Sequence, residues 1–129
     1  MKIVNVGIYV KDIESVRAFF EQYFDAKVDA VLNDEKSDYY SYILSLGEGA
    51  LIELMNKPAI VDEPKDPNRT GLAHININVG SRKRFDEITA AFKEENYVIQ
   101  YETYSPEGAG EIRAITVEDI ILEVSCDGQ

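Results

Sequence analysis

This chain of 129 residues is short of cysteine, of histidine and of long apolar runs. Cys126 is the only cysteine, so no disulfide framework is available, which is typical of a protein from a reducing cytoplasm. No stretch approaches the ~20 consecutive apolar residues that cross a bilayer, and the N-terminal segment has the pattern of a strand and not of a signal peptide. We therefore expect a cytoplasmic protein without a membrane partner.

Positive charge is also scarce. The 24 acidic and 13 basic residues give a formal net charge of −11. Such a field repels phosphate backbones, so we expect no nucleic-acid partner. The one dense basic cluster, residues 82–84, is interpreted as the exposed start of a helix. With 45% hydrophobic residues the chain can bury a core of its own.

The chain repeats one pattern of secondary structure. Residues 2–10 have the pattern of a β-strand. Asp12 is a good N-cap, and the spacing of the apolar residues that follow it predicts a helix. Three further strands are predicted after this helix, at 26–33, 39–47 and 50–56. The second copy has a strand at 72–79, an N-cap at Ser81, a helix, and strands at 97–104, 111–118 and 120–126. The sequence therefore predicts an α+β fold of two tandem β-α-β-β-β modules.

Corresponding residues of the two modules keep a nearly constant separation. Three pairs are 69, 69 and 70 positions apart: Asn5 and His74, Asp12 and Ser81, Glu53 and Glu123. Such self-similarity indicates an internal duplication. We place the first module at 1–56, a proline-rich and acidic linker at 57–71, and the second module at 72–127. Because each half is too small to bury a sheet face alone, we expect a single domain over 1–129.

Two glutamates stand inside markedly apolar strands, Glu53 in "ALIELMN" and Glu123 in "IILEVSC". Burying an unpaired carboxylate costs several kcal/mol, so each glutamate is exposed, paired or bound to a cation. If the polar faces of the modules meet, these glutamates join His74 and Asn5 in a donor set that suits a divalent ion. Taken singly, each of the four residues is more often structural or surface-exposed than a metal ligand.

These motifs resemble the vicinal oxygen chelate superfamily, which includes glyoxalase I, extradiol dioxygenases, and bleomycin and fosfomycin resistance proteins. The resemblance is carried by "VNVGIYVKDIESVRAFFEQYF", "SYILSLGEGALIELM", "GLAHININVGSRKRFDEI" and "ITVEDIILEVS". It is strongest to small bacterial glyoxalase-like proteins. It implies an open eight-strand cup, commonly completed in a homodimer, around a divalent metal such as nickel, zinc, cobalt or manganese. The metal ligands it implies are Asn5, His74, Glu53 and Glu123.

The resemblance further implies a metal-dependent lyase or isomerase of the lactoylglutathione-lyase type. The metal would stabilise the enediolate formed from a small hemithioacetal or related vicinal-oxygen substrate, with Glu123 as general base and Glu53 as its symmetric counterpart. Strand parity adds candidates for the pocket wall: Gly7, Tyr9, Tyr42, Leu44, Leu51, Met55, Asn76, Asn78 and Ile121. Arg17, Arg69 and Arg113 are candidates for holding substrate carboxylates, as glutathione would require.

Departures from the family pattern leave alternatives open. Asn5 stands where a histidine is usual, and "VEDI" replaces a glycine-containing turn before the last strand. A single histidine argues against an extradiol dioxygenase and against a thiol transferase acting on an antibiotic epoxide. The main alternative is a non-catalytic, ligand-sequestering module of the bleomycin-resistance type. Asn5 favours that alternative, whereas His74 and the two glutamates, retained in register, favour the enzyme.

Overall fold

The computed structural model describes residues 1–128, and over these residues it contains eight strands and two α-helices. The first module comprises β1 (Asn5–Tyr9), α1 (Ile13–Phe24), β2 (Lys27–Asp34), β3 (Tyr39–Ser45) and β4 (Leu51–Asn56). The second comprises β5 (Ile75–Asn78), α2 (Arg82–Glu94), β6 (Val98–Tyr104), β7 (Gly110–Ile115), a short 3-10 helix (Val117–Asp119) and β8 (Ile121–Cys126). The predicted α+β fold of two tandem β-α-β-β-β modules is confirmed.

Each module forms its own four-stranded sheet. The strand orders are β1-β4-β3-β2 and β5-β8-β7-β6, with β1 parallel to β4, β5 parallel to β8, and antiparallel pairs elsewhere. The first strand of each module therefore lies beside its last strand. The chain divides into two compact units between Glu63 and Pro64, within the predicted linker.

Both helices begin at the predicted N-caps. The Asp12 carboxylate and the Ser81 hydroxyl each accept a hydrogen bond from the backbone N–H three residues on, at 3.1 Å. Asp25 ends α1 in the left-handed conformation, with φ of 53°. These local signals fix where each helix starts, so that its apolar side faces the sheet of its own module.

Each helix covers one face of its sheet, and buried apolar side chains fill the space between them. In the first module these are Val16, Phe20, Leu44, Ile52 and Leu54; in the second they are Phe85, Ile88, Phe92, Ile112, Ala114, Leu122 and Val124. Burial of one such large side chain contributes roughly 1.5–3 kcal/mol. Gly110 is needed in β7 because a Cβ there would lie 2.8 Å from the Phe85 ring.

Two β-bulges lie at corresponding places in the two sheets. The register between β2 and β3 shifts between Val28 and Ala30, and that between β6 and β7 shifts between Ile99 and Tyr101. A bulge inserts one residue and turns the following side chains to the other face. The second bulge therefore pairs Tyr101 with Arg113 and places both side chains on one face of the sheet.

The first strand of each module is shorter than predicted. Pairing of β1 with β4 starts at Asn5, and pairing of β5 with β8 starts at Ile75. The turn before β8 forms without glycine, since Glu118 and Asp119 themselves adopt left-handed φ values of 50° and 60°.

Within residues 1–128 no helix is long and apolar enough to cross a membrane.

Candidate ligand site

Each sheet has a second face, opposite its helix, on which the predicted site residues collect. The strand register places Asn5, Gly7, Tyr9, Ser41, Ile43, Leu51, Glu53 and Met55 on this face of the first module. It places Asn76, Asn78, Tyr101, Glu111, Arg113, Ile121, Glu123 and Ser125 on this face of the second. We call these the first and the second polar face.

Glu123 is the centre of the second polar face and only 8% exposed. Its Oε1 accepts from Asn76 Nδ2 at 3.1 Å and lies 3.1 Å from His74 Nε2. Its Oε2 accepts from the Tyr101 hydroxyl at 3.0 Å and lies 3.3 Å from Arg113 Nε. Both oxygens of the carboxylate are thus engaged by neighbouring side chains.

Arg113 also contacts His74, and this contact defines the protonation of the imidazole. Arg113 Nη2 lies 2.5 Å from His74 Nδ1. A guanidinium has only N–H donors, so Nδ1 is the acceptor and the ring proton is on Nε2, facing Glu123. Both nitrogens of His74 are thereby occupied.

The network keeps Glu123 ionised. Burial works against the charged form, but hydrogen bonds from Asn76 and Tyr101 and the electrostatic effect of the adjacent His74 and Arg113 side chains outweigh it and lower the pKa of Glu123. The same surroundings raise the pKa of Tyr101 to about 12, because burial and the adjacent Glu123 and Glu111 carboxylates disfavour its phenolate. Tyr101 is therefore a hydrogen-bond donor across the physiological range.

Glu111 belongs to the same network, although sequence reasoning missed it. Its Oε1 accepts from Asn76 Nδ2 at 2.9 Å, and its Oε2 lies 3.0 Å from the Tyr101 hydroxyl. Because Tyr101 has one hydroxyl proton and contacts both carboxylates, Glu111 and Glu123 share that proton. The available signal was the spacing in "EIR", which puts Glu111 on the same side of a strand as Arg113.

The first polar face holds its glutamate differently. Glu53 Oε2 accepts from the Tyr39 hydroxyl at 3.0 Å and from Ser41 Oγ at 2.9 Å. Within residues 1–128 no lysine, arginine or histidine forms an ion pair with Glu53. Asn5 is exposed at the start of β1, two residues before Gly7, which lies directly beside Glu53.

Two wall assignments are wrong. The register sets Ile43, and not Tyr42, opposite Glu53, so Tyr42 and Leu44 lie on the helix-covered face. The Tyr42 hydroxyl donates to Glu14 of α1 at 2.7 Å, and Leu44 is fully buried in the core. Parity counted from the sequence was off by one because the loop between β3 and β4 sets the register of the pair.

The other wall candidates lie on the polar faces, in varied surroundings. Tyr9 and Met55 share the first polar face with Glu53. Asn78 is on the second polar face, but its side chain donates to Asp127 at 3.0 Å and accepts from the Gly80 N–H at 2.8 Å. Arg17 lies on α1, where it forms ion pairs with Glu14 and Glu21.

The arrangement of the second polar face does not fit a resident metal. Both nitrogens of His74 are engaged, and the permanent positive charge of Arg113 stands beside Glu123, where it opposes a divalent cation. In the part of the chain that is described, residues 1–128, no group of three or more histidine, cysteine, aspartate or glutamate side chains could hold a metal ion.

The fold and this network can now be compared with known proteins. A family model described as the glyoxalase/bleomycin resistance protein/dioxygenase superfamily matches residues 5–116. The chain belongs to this superfamily. A search of curated proteins gives no significant match. The superfamily resemblance inferred from the sequence motifs is thereby confirmed.

Solved structures of the superfamily share the fold at low identity. A glyoxalase family protein from Bacillus cereus is 16% identical over 100% of this chain and 95% of that one, with a TM-score of 0.81. The trypanothione-dependent glyoxalase I of Leishmania major is 19% identical over 96% and 85%, with a TM-score of 0.75. The fosfomycin resistance protein FosX from Listeria monocytogenes, solved with Mn(II) and dihydroxypropylphosphonic acid, is 19% identical over 95% and 89%, with a TM-score of 0.69.

Proposed function

We propose that this superfamily member binds a small molecule without a resident metal and without catalysis, as a ligand-sequestering protein of the bleomycin-resistance type. One observation carries the proposal: the guanidinium of Arg113 contacts His74 at 2.5 Å and Glu123 at 3.3 Å. These are the two residues that the family resemblance assigns as metal ligands in the second module. An arginine between them supplies in the protein the positive charge that a metal would otherwise bring.

The same contacts argue against Glu123 as a general base. A base for proton abstraction from carbon works best with a raised pKa near neutrality. The pKa of Glu123 is instead lowered, because hydrogen bonds from Asn76 and Tyr101 and the charge of Arg113 overcome the opposing effect of burial. A weakly basic carboxylate with partners on both of its oxygens suits a structural role in a binding surface.

A metal-dependent lyase or isomerase acting on a hemithioacetal is the second candidate. It is favoured by the 3.1 Å approach of His74 Nε2 to Glu123 Oε1, which keeps a nitrogen and a carboxylate ligand adjacent. Mn(II) in the FosX structure and the glyoxalase I neighbour agree with it. This candidate requires Arg113 to leave both residues before nickel, zinc, cobalt or manganese could bind there.

Calorimetric metal titration separates the two candidates. Protein stripped with a chelator is titrated with Ni²⁺, Zn²⁺, Co²⁺ and Mn²⁺, alongside His74→Ala and Glu123→Ala, with Glu35→Ala in the β2–β3 turn as the control for charge. We expect no binding tighter than about 1 mM. Micromolar binding that disappears in His74→Ala and Glu123→Ala but persists in Glu35→Ala would contradict the proposal, and hemithioacetal isomerisation would then be assayed.

We also propose a cytoplasmic homodimer. The edge strands β2 and β6 carry exposed apolar residues, including Val31, Leu32 and Val98, and such edges are commonly covered by a partner. Cys126 is buried and free, as suits a reducing compartment. Sedimentation equilibrium should give twice the chain mass of 14.5 kDa, and a monomer at micromolar concentration would contradict the dimer.

A further inference from the structure

We propose that Glu53 is the anchor of the ligand and binds the primary ammonium group of a small amphipathic amine. The inference rests on the proposed function, since it names the class of molecule that the binding protein takes. It does not depend on the absence of a metal from the second polar face, so the two can fail separately.

The two glutamates occupy equivalent positions in the two modules but face different residues. Glu123 has Arg113 directly opposite it on the neighbouring antiparallel strand, and Glu53 has Ile43 in the same position. The second module thus carries its own cation beside the glutamate. The first module, built on the same register, has an aliphatic side chain there and leaves the charge of Glu53 without a counter-ion.

A partly buried carboxylate without a counter-ion is a costly feature unless a ligand completes it. Glu53 is half-buried, and the Ser41 hydroxyl that holds it is fully buried. The hydrogen bonds from Tyr39 and Ser41 fix the carboxylate but bring no charge. A cation from outside the chain would supply what Arg113 supplies to Glu123, and the net charge of −11 attracts cations to the surface.

The free oxygen favours an ammonium over a guanidinium. Both hydroxyls donate to Oε2 of Glu53, and within residues 1–128 Oε1 has no hydrogen-bond partner. A guanidinium pairs best with two oxygens at once, whereas an ammonium is a compact charge that one oxygen can accept. The single open acceptor therefore fits a primary amine.

The neighbours of Glu53 suit the apolar part of such a molecule. The Met55 methyl lies over Gly7, where a Cβ would be only 2.8 Å away, so the strand beside Glu53 is covered by a flexible thioether. Tyr9, on the same face, is 51% exposed, and the Lys57 ammonium already lies 5.2 Å from the centroid of its ring. An aromatic ring that accepts an ammonium and an adaptable methionine together favour an amine on an apolar body.

Benzylamine is the probe for the test, with benzyl alcohol and benzoate as its neutral and anionic counterparts. The chain has two methionines, so ¹³C-methyl labelling gives one signal at the site, from Met55, and one internal reference, from Met1. We expect benzylamine at pH 7 to shift the Met55 signal saturably and to leave Met1 unchanged. Benzyl alcohol and benzoate should bind at least about ten-fold more weakly, which corresponds to one charge-assisted contact.

Glu53→Gln keeps an acceptor for Tyr39 and Ser41 but removes the charge, and it should weaken benzylamine binding at least about ten-fold. Glu35→Gln makes the same change of net charge on an exposed turn and should bind like the wild type. Three results would overturn the inference. Benzyl alcohol could bind as tightly as benzylamine, Glu53→Gln and Glu35→Gln could lose the same benzylamine affinity, or benzylamine could give no saturable shift of the Met55 signal. If neither benzylamine nor a divalent metal binds, only this inference is contradicted. If a divalent metal binds tightly at His74 and Glu123, the proposed function is contradicted, whether or not benzylamine binds.

Discussion

The two modules share one scaffold and differ in how each treats its central glutamate. Both glutamates lie on the last strand, beside the first strand, at the same register. Glu123 is surrounded by Arg113, His74, Asn76 and Tyr101, and both of its oxygens have partners inside the module. Glu53 is held by two hydroxyls on one oxygen. The same position is therefore closed in one half and open in the other.

The comparison shows that the residue opposite each glutamate, on the neighbouring strand, determines whether the carboxylate has a cation within its own module. An arginine at position 113 neutralises its partner from within, whereas isoleucine at position 43 leaves that task to another molecule. A repeated scaffold tolerates this divergence because the helix-covered face, which holds each module together, is not involved.

The largest effect is expected from Arg113→Ile, which gives the second module the residue of the first. Glu123 would remain buried with its neutral donors but without a cation, which we expect to cost about 2 kcal/mol, less than for a fully buried pair because Arg113 is 29% exposed. Urea denaturation measures the change. Arg84→Ala, at a surface ion pair on α2, should cost less than about 0.5 kcal/mol, and an equal loss in both variants would refute the special role of Arg113.

A smaller effect is expected from removing the hydroxyls that hold the glutamates. Tyr101→Phe takes one donor away from two carboxylates and should destabilise the protein by about 1.5 kcal/mol. Tyr39→Phe removes one donor from Glu53, which keeps Ser41, and should cost about half as much. Thermal unfolding of the two variants measures the ratio. A larger loss of stability in Tyr39→Phe than in Tyr101→Phe would contradict this prediction.

The converse exchange, Ile43→Arg, should close the open site. A guanidinium opposite Glu53 would compete with an external ammonium and reduce benzylamine binding about ten-fold, or about 1.4 kcal/mol. Ile43→Met changes the same side chain without adding charge and should keep the binding. Unchanged benzylamine affinity in a folded Ile43→Arg protein would show that the charge of Glu53 is not what holds the amine.

The smallest effect concerns acid. Because the pKa of Glu123 is lowered in the folded protein, its contribution to stability is present above the pKa of an unfolded glutamate, about 4.3, and is lost as the pH falls through the folded value. Glu123→Gln should therefore flatten the decline of stability below about pH 5 relative to the wild type. Denaturation at stepped pH values tests this, with Glu35→Gln as the charge control. A decline as steep as that of the wild type would contradict the assignment.

Most of the fold was accessible from the sequence because the signals are local and occur twice. Asp12 and Ser81 mark the helix starts by their own side-chain chemistry, and the constant separation of the repeat supported each element with its counterpart. The strand ends were less well predicted. Residues before Asn5 and Ile75 have strand-like patterns, yet strand pairing begins only at Asn5 and Ile75 because pairing across strands is not a local property.

The site was predicted less well because it depends on register across strands. The sequence pointed to His74, Asn76, Glu53 and Glu123, whose polar nature inside apolar runs is a local signal. That Arg113 stands opposite Glu123 follows from the turn before β8, where Glu118 and Asp119 adopt left-handed conformations that no composition rule assigns to them. Tyr42 failed for the same reason, since the loop before β4 sets its face.

The β-bulges at corresponding places in the two modules bear on how the repeat arose. Val28 and Ala30 flank one of them, and Ile99 and Tyr101, each 71 positions later, flank the other. An irregularity at the same place in both halves is inherited most simply from one ancestral half-length chain, which already had its bulge when the gene doubled. The arginine opposite Glu123 has no counterpart in the first half, so this difference between the halves arose after the doubling. The architecture is on this reading older than the division of labour it now supports.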